Sequence, residues 1–130
     1  MKVKIYHNPR CSKSRQTLEI LKNKNCDIEI IEYLKVPMAL KELEDILSKL
    51  NYEPRDLIRK GEDIYKTENL ANTSLTSNTL MKKMILNPIL IERPIVVFND
   101  KAIVGRPPEK DLEIWSWNRK ERLNLLIKEN

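Results

Sequence analysis

The first 33 residues place a cysteine between a strand pattern and a helix pattern, and this order restricts the possible folds more than any other feature. Val3 and Ile5 alternate with lysines, which is the period of a half-buried strand. Apolar and small side chains then recur at helical spacing over residues 12–24, and residues 28–33 are typical of a second strand. So short a β-α-β segment predicts two parallel strands joined by a helix that begins at Cys11.

The predicted position of Cys11 has chemical consequences. The start of a helix carries unpaired backbone N–H groups and the positive end of the helix dipole. Both favour a thiolate over a thiol, and both attract anions. We therefore expect a nucleophilic sulfur beside a site for an oxyanion.

A series of helices is predicted after the second strand, because leucine, isoleucine and methionine recur there every three or four residues. The predicted helical segments are 39–50, 54–60 and 76–86. Residues 62–72 are polar and are expected to be irregular. Together these segments form a helical insertion that covers about residues 38–88.

A β-hairpin is predicted next, with strands over residues 95–98 and 102–104 and a turn at 99–101. Two short helical segments complete the chain, and they are 107–114 and 119–128. The element order is β-α-β, helical insertion, β-β-α. It predicts an α/β fold with a four-stranded mixed sheet and helices on its faces.

Composition excludes several classes of protein. A chain of 130 residues is expected to form a single domain, residues 1–130. The net charge of +5 comes from scattered lysines, and with aromatic residues at 5% a nucleic-acid surface is not expected. No apolar run is long enough to span a membrane and no signal peptide is recognisable, so we expect a cytoplasmic protein with reduced cysteines. Two cysteines and one histidine do not predict a metal site.

Three arginines lie at predicted element boundaries. Arg59 ends the 54–60 segment, Arg93 precedes Pro94 at the entrance of the third strand, and Arg106 follows the fourth strand. The planar guanidinium fork suits tetrahedral oxyanions. Any one of them alone is best interpreted as a surface residue, but the three together with Cys11 favour a shared cleft.

Four separated segments resemble the arsenate reductase family that is linked to glutaredoxin, a group with a thioredoxin-like fold and a helical insertion. The matching segments are YHNPRCSKSRQTLEIL, RDLIRKGEDIY, NPILIERPIVV and GRPPE, and they span nearly the whole chain in the family's order. The resemblance implies that Cys11 is the catalytic nucleophile. It also implies that the oxyanion-binding residues are Arg59, Arg93 and Arg106.

The resemblance also assigns roles to the neighbours of the cysteine. It implies that His7 and Ser14 help to keep the Cys11 sulfur ionised, and it predicts a cis peptide bond at Arg93–Pro94. The residues themselves leave other roles open, since His7 can instead cap the strand end or contact solvent. The Ser14 hydroxyl can donate to the sulfur or satisfy backbone groups at the helix start, with equal weight.

The reaction that the resemblance implies is the reduction of arsenate to arsenite through a Cys11 thiol–arsenate adduct. Cys26 lies beyond the far end of the predicted helix, on the order of 20 Å from Cys11, whereas a disulfide needs Cα atoms within roughly 7 Å. Cys26 is therefore expected to be a half-buried structural residue. The resolving thiol is expected to come from glutathione, as co-substrate, and then from glutaredoxin. We expect no bound cofactor and a monomeric chain.

Of three other classes of protein, the residues exclude one and leave two open. A phosphatase-type loop needs an arginine six residues after the cysteine, where this chain has Thr17, so that class is excluded. An Spx-type transcriptional regulator, which binds RNA polymerase through the same scaffold, is disfavoured because Ser14 replaces the second cysteine of its redox switch. A glutathione-linked reductase of another substrate remains possible.

Overall fold

A computed structural model describes residues 2–106 of the chain. Its core is a four-stranded sheet of order β2-β1-β3-β4, in which β1 pairs parallel with β2 and antiparallel with β3, and β3 pairs antiparallel with β4. The strands are β1 (Lys2–Tyr6), β2 (Asp27–Ile31), β3 (Ile95–Phe98) and β4 (Lys101–Val104). The predicted α/β fold with a mixed sheet is confirmed.

The helices connect these strands in the predicted order. The helices are α1 (Ser12–Asn23), α2 (Leu40–Leu50), α3 (Pro54–Leu57), α4 (Asp63–Thr67), α5 (Ser77–Leu86) and a 3₁₀ turn (Pro88–Leu90). All but α1 lie between β2 and β3, where the insertion was predicted. The helices predicted at 107–114 and 119–128 lie outside the described residues.

The two faces of the sheet bury different sets of side chains, because alternate strand residues point to opposite sides. Ile95 and Val97 contribute to a cluster with the insertion helices, whereas Val96 and Phe98 pack in a second cluster with α1 through Leu21. Every residue of β3 is buried, as expected for a strand with partners on both edges and a layer on each face.

The structure corrects two predictions in the insertion. The helix predicted over residues 54–60 ends at Leu57, because Ile58 forms an isolated bridge with Ile91 and the Arg59 N–H donates to the Leu90 carbonyl at 2.7 Å. The irregular segment predicted over residues 62–72 contains α4 instead. The segment is polar on average, but three of its side chains contact the core: Ile64, Tyr65 and the fully buried Leu70.

Candidate functional site

Cys11 lies at the N-cap of α1, at the end of a tight loop. The Cys11 N–H donates to the Asn8 carbonyl at 3.0 Å, and the Asn8 side chain accepts from the Arg10 N–H at 3.0 Å, which closes the loop as an Asx turn. The Arg15 N–H donates to the Cys11 carbonyl at 3.0 Å and begins the helix. The loop thus holds the half-buried cysteine at the point that its sequence predicted.

The surroundings of Cys11 favour its ionised form. Burial raises the pKa of the thiol, but the backbone N–H groups of Ser14 and Lys13, together with hydrogen bonding from Arg93 and its charge, outweigh that effect. The net result is a Cys11 pKa below its ordinary value. Arg106 adds a direct contact, since its Nη2 donates to Cys11 Sγ at 3.4 Å. The Cys11 sulfur therefore lies against two guanidinium groups, which favour its thiolate form.

His7 contacts the side chain of Ser14. His7 is buried and its Nδ1 lies 2.6 Å from Ser14 Oγ. Burial lowers the pKa of His7, with the nearby Glu32 opposing and Arg15 reinforcing the effect, so the neutral imidazole is favoured. The imidazole fixes the serine beneath the loop, and the implied help of His7 in keeping the Cys11 sulfur ionised stays a prediction.

Ser14 has two polar groups near Cys11, its hydroxyl and its backbone N–H, and the two have different partners. Its fully buried hydroxyl pairs with His7 and accepts from the Asn8 N–H at 3.1 Å. Its backbone N–H, in the first turn of α1, is the group that lowers the Cys11 pKa. The side chain of Ser14 thus organises the loop, while its main chain stabilises the thiolate.

Arg93 and Arg106 reach Cys11 from the opposite edge of the site, where β3 begins and β4 ends. The Arg93–Pro94 peptide bond is cis, as the sequence analysis predicted, and the Gly105 N–H donates to the Pro94 carbonyl at 2.9 Å. Arg106 Nε donates to the Arg93 carbonyl at 2.7 Å, which aims its Nη2 at the sulfur. The start of β3 pairs with the end of β4, and this pairing brings both arginines to Cys11.

Arg93 carries unused hydrogen-bonding capacity. Its side chain is 12% exposed, and its Nε and Nη1 are buried without a hydrogen-bond partner. Buried donors are normally satisfied, so unpaired guanidinium N–H groups next to a thiolate indicate a place where an anion binds.

Arg59 joins the cluster through carboxylates. Its Nε lies 3.1 Å from Glu62 Oε1 and its Nη1 lies 3.2 Å from Glu92 Oε1. Glu92 also pairs with Arg106 Nε at 3.2 Å, and Glu62 lies 3.9 Å from Arg93 Nη1. The three predicted arginines therefore converge, with two in contact with Cys11 and Arg59 linked to them by shared partners.

The sequence analysis missed Glu62, Glu92 and Tyr33. Each glutamate lies close in sequence to a predicted arginine, three residues after Arg59 or directly before Arg93, and that proximity was the available signal. Tyr33 is buried beneath the cluster, where its hydroxyl donates to the Ile91 carbonyl at 3.4 Å. Burial raises the pKa of Tyr33 to about 12, so the phenol stays protonated at neutral pH.

Residues 2–106 contain no group of three or more histidine, cysteine or acidic side chains that could hold a metal ion. The same part of the chain has no helix long and apolar enough to cross a membrane.

Cys26 lies after the C-terminal end of α1, half-buried against the cluster of Val3 and Leu21. Burial raises its pKa. The groups assembled around Cys11 are therefore suited to bind an anion and to attack it with sulfur.

The fold and the site define a class: a thioredoxin-like α/β protein with a cysteine of lowered pKa at the start of its first helix, facing a group of arginines. The model of the ArsC family matches residues 6–114. The chain belongs to the ArsC family.

Known relatives agree with this assignment over most of their length. The chain is 52% identical over 113 residues to the uncharacterized protein YfgD of Escherichia coli K12, covering 86% of this chain and 95% of the relative. It is 46% identical over 115 residues to the arsenate reductase of Haemophilus influenzae, covering 88% and 99%. The solved structure of an arsenate reductase from Vibrio cholerae is 45% identical, with a TM-score of 0.85 and coverage of 88% and 98%.

Proposed function

We propose that this chain reduces arsenate to arsenite through a covalent adduct on Cys11, with glutathione and glutaredoxin as the reductants. The observation that carries the proposal is the contact between a cysteine of lowered pKa and guanidinium groups, with Arg106 Nη2 at 3.4 Å from Cys11 Sγ and Arg93 donors without hydrogen-bond partners beside it. Family membership and relatives named arsenate reductases support the choice of arsenate.

The first step is nucleophilic. The Cys11 thiolate attacks the arsenic atom, a sulfur–arsenic bond forms, and one oxygen leaves as water after it has received protons. Arg93 and Arg106 bind the remaining oxygens, and Arg59 completes the set while its carboxylate partners Glu62 and Glu92 stay in place. Guanidinium donors fixed around the oxygens stabilise the negative charge of the transition state.

The second step transfers electrons. A glutathione thiolate attacks the arsenic of the adduct, and a second oxygen leaves as water. A glutaredoxin thiolate then attacks the glutathione sulfur, so that a disulfide forms, the bond between arsenic and glutathione breaks and its electron pair reduces As(V) to As(III). Water hydrolyses the remaining Cys11–arsenic bond and restores the Cys11 thiolate. Two thiols are oxidised to one disulfide and arsenite leaves, which balances the two electrons gained by arsenic. Cys26 is not suited to this role, because the 12 residues of α1 separate it from Cys11 by about 18 Å.

The proposal defines the chain as an oxidoreductase that works in the cytoplasm as a monomer. It needs no bound cofactor, because the electrons come from glutathione as co-substrate. It involves no membrane and no nucleic acid. The sparse aromatic content of the chain, which offers few side chains for base stacking, is in keeping with the second point.

A coupled assay tests the proposal. Purified protein is mixed with arsenate, glutathione, glutaredoxin, glutathione reductase and NADPH, and NADPH consumption is followed. We expect consumption that requires arsenate, protein and glutaredoxin. Consumption driven by a different oxyanion alone would favour the reductase of another substrate, and an inactive protein that binds RNA polymerase would favour the Spx-type regulator.

A further inference from the structure

Two carboxylates are built into the arginine cluster. A single oxygen of Glu92, Oε1, pairs with Arg59 Nη1 and with Arg106 Nε, each at 3.2 Å. A single oxygen of Glu62, again Oε1, lies 3.1 Å from Arg59 Nε and 3.9 Å from Arg93 Nη1. Each carboxylate thus bridges two of the three guanidinium groups that surround the proposed anion site.

The fold fixes both carboxylates in this position. Glu62 is the N-cap residue of α4, three residues after Arg59. Glu92 follows the bridge between Ile58 and Ile91, and its N–H donates to the Leu57 carbonyl at 2.9 Å. Their side chains are 24% and 29% exposed, so these charges are screened less than those of a surface ion pair.

The carboxylates change the charge that the site offers to a ligand. Three guanidinium and two carboxylate groups leave one net positive charge. When Cys11 is ionised, as the proposed attack requires, its thiolate cancels that remaining charge. A doubly charged anion would then leave two uncompensated negative charges in a partly buried site, whereas a singly charged anion would leave one.

The chemistry of the first step points the same way. A singly charged arsenate carries two hydroxyl groups, so its reaction with a thiolate releases one water whose two hydrogens both come from the substrate. A doubly charged arsenate carries one hydroxyl and needs a proton from elsewhere. The nearby titratable side chains are poor donors, because burial lowers the pKa of His7 and raises the pKa of Tyr33.

We propose that Glu62 and Glu92 are specificity-determining residues that make the Cys11 site select tetrahedral oxyanions in their singly charged, doubly protonated form. The inference rests on the proposed function only in taking the arginine cluster as the anion site. It predicts discrimination between anions of equal shape: sulfate stays doubly charged near neutral pH, whereas phosphate and arsenate exchange their second proton there.

The test measures how well inorganic phosphate and sulfate protect Cys11 from iodoacetamide, as the ratio of alkylation rates with and without the anion at the same pH. In the wild-type chain we expect phosphate to protect better at about pH 6 than at about pH 8, and sulfate to protect poorly at both. Comparing the two anions at one pH removes the contribution of Cys11 ionisation. Equal protection by sulfate and phosphate at about pH 6 would overturn the proposal.

The variants Glu62→Gln and Glu92→Gln remove one negative charge each and keep an amide oxygen that can accept from arginine. In the double variant the sulfate concentration needed for half-protection should fall about tenfold. In each single variant the same concentration should fall by a smaller factor. Glu29→Gln is the matched control, because this glutamate is 67% exposed and paired with Lys4 away from the cluster. Unchanged sulfate protection in folded single variants would contradict the proposal.

The two proposals fail separately. If phosphate and sulfate protect as described but the coupled assay shows no arsenate-dependent turnover, the charge selection stands and arsenate reduction is wrong. If arsenate is reduced but the glutamine variants protect like the wild-type chain, arsenate reduction stands and the selective role of Glu62 and Glu92 is wrong.

Discussion

The two ends of α1 each carry a cysteine, and the two thiols differ in character. Cys11 at the N-terminal end contacts Arg106 and has a pKa below its ordinary value. Cys26 beyond the C-terminal end packs against apolar side chains, and burial raises its pKa. The same residue type thus has a lowered pKa at one end and a raised pKa at the other, because one end offers N–H groups and guanidinium groups and the other offers apolar contacts.

The comparison also explains why the proposed reaction needs an outside thiol. A helix of 12 residues is a spacer of about 18 Å, far longer than a disulfide allows. A second sulfur in the first turn would close a bond with Cys11, but Ser14 occupies that place and its hydroxyl is engaged with His7 and Asn8.

The largest effect should come from replacing Cys11 by serine, with the same replacement of Cys26 as the comparison. Cys11→Ser should lower arsenate-dependent NADPH consumption by at least about 1000-fold, because a neutral hydroxyl at this place is a far weaker nucleophile than a thiolate. Cys26→Ser is the matched variant at the other end of α1, and its activity should stay within about twofold of wild type. Equal inactivation of both would mean that Cys26 resolves the adduct.

A smaller but specific loss is expected from Arg93→Lys, which keeps the charge and removes the planar fork. The unpaired Nε and Nη1 donors of Arg93 cannot be reproduced by one ammonium group. We expect a cost of about 1–3 kcal/mol in transition-state stabilisation, a roughly 5- to 150-fold fall in kcat/KM.

The matched control for Arg93 is Arg55→Lys. Arg55 is also partly buried and also uses its guanidinium group, donating to the Leu70 and Asn72 carbonyls at 2.8 and 2.6 Å. Its replacement should lower the thermal midpoint and leave kcat/KM within about twofold. A kcat/KM for Arg93→Lys as high as that of this control would show that bidentate binding by Arg93 is not needed.

The features of the fold that were predictable from sequence are those encoded locally. The alternation of Val3 and Ile5, the loop before Cys11 and the hairpin around Asn99 each depend on neighbouring residues, and each appears in the structure. Helix α4 was missed because five residues with a polar average are held by tertiary contacts of Ile64 and Tyr65, which no local pattern shows.

The same distinction between local pattern and tertiary contacts applies to the residues of the site. The positions of Cys11 and the arginines followed from element boundaries and from the family resemblance. The partners of those residues did not, because the pairing of Arg59 with Glu92 joins positions 33 apart and depends on the bridge between Ile58 and Ile91. The burial of His7 was not predictable for a related reason, since it is a property of the packed loop and not of its neighbours in sequence.

The smallest effect concerns the pH at which each cysteine reacts. With Cys26→Ser, the iodoacetamide rate of Cys11 should reach half its plateau below the ordinary thiol pKa of about 8.5, because the folded site stabilises the thiolate. With Cys11→Ser, the rate of Cys26 should reach half its plateau above that value. Both midpoints should return to about 8.5 in denaturant. Coincident midpoints in the native state would remove the distinction between the two ends of α1.

Ser14→Ala, made in the Cys26→Ser background, sharpens this measurement to a single group. The backbone N–H of Ser14 lowers the Cys11 pKa, whereas the hydroxyl is held by His7 and the Asn8 N–H. Removing the hydroxyl should therefore reduce the thermal midpoint, because it leaves buried polar groups unpaired, while the alkylation midpoint moves by less than about 0.5 pH units. A shift of a full pH unit in a folded variant would mean that the Ser14 hydroxyl, and not only its backbone N–H, stabilises the thiolate. The His7 imidazole would then donate to the serine oxygen, and the proton of the Ser14 hydroxyl would be free to donate to the sulfur.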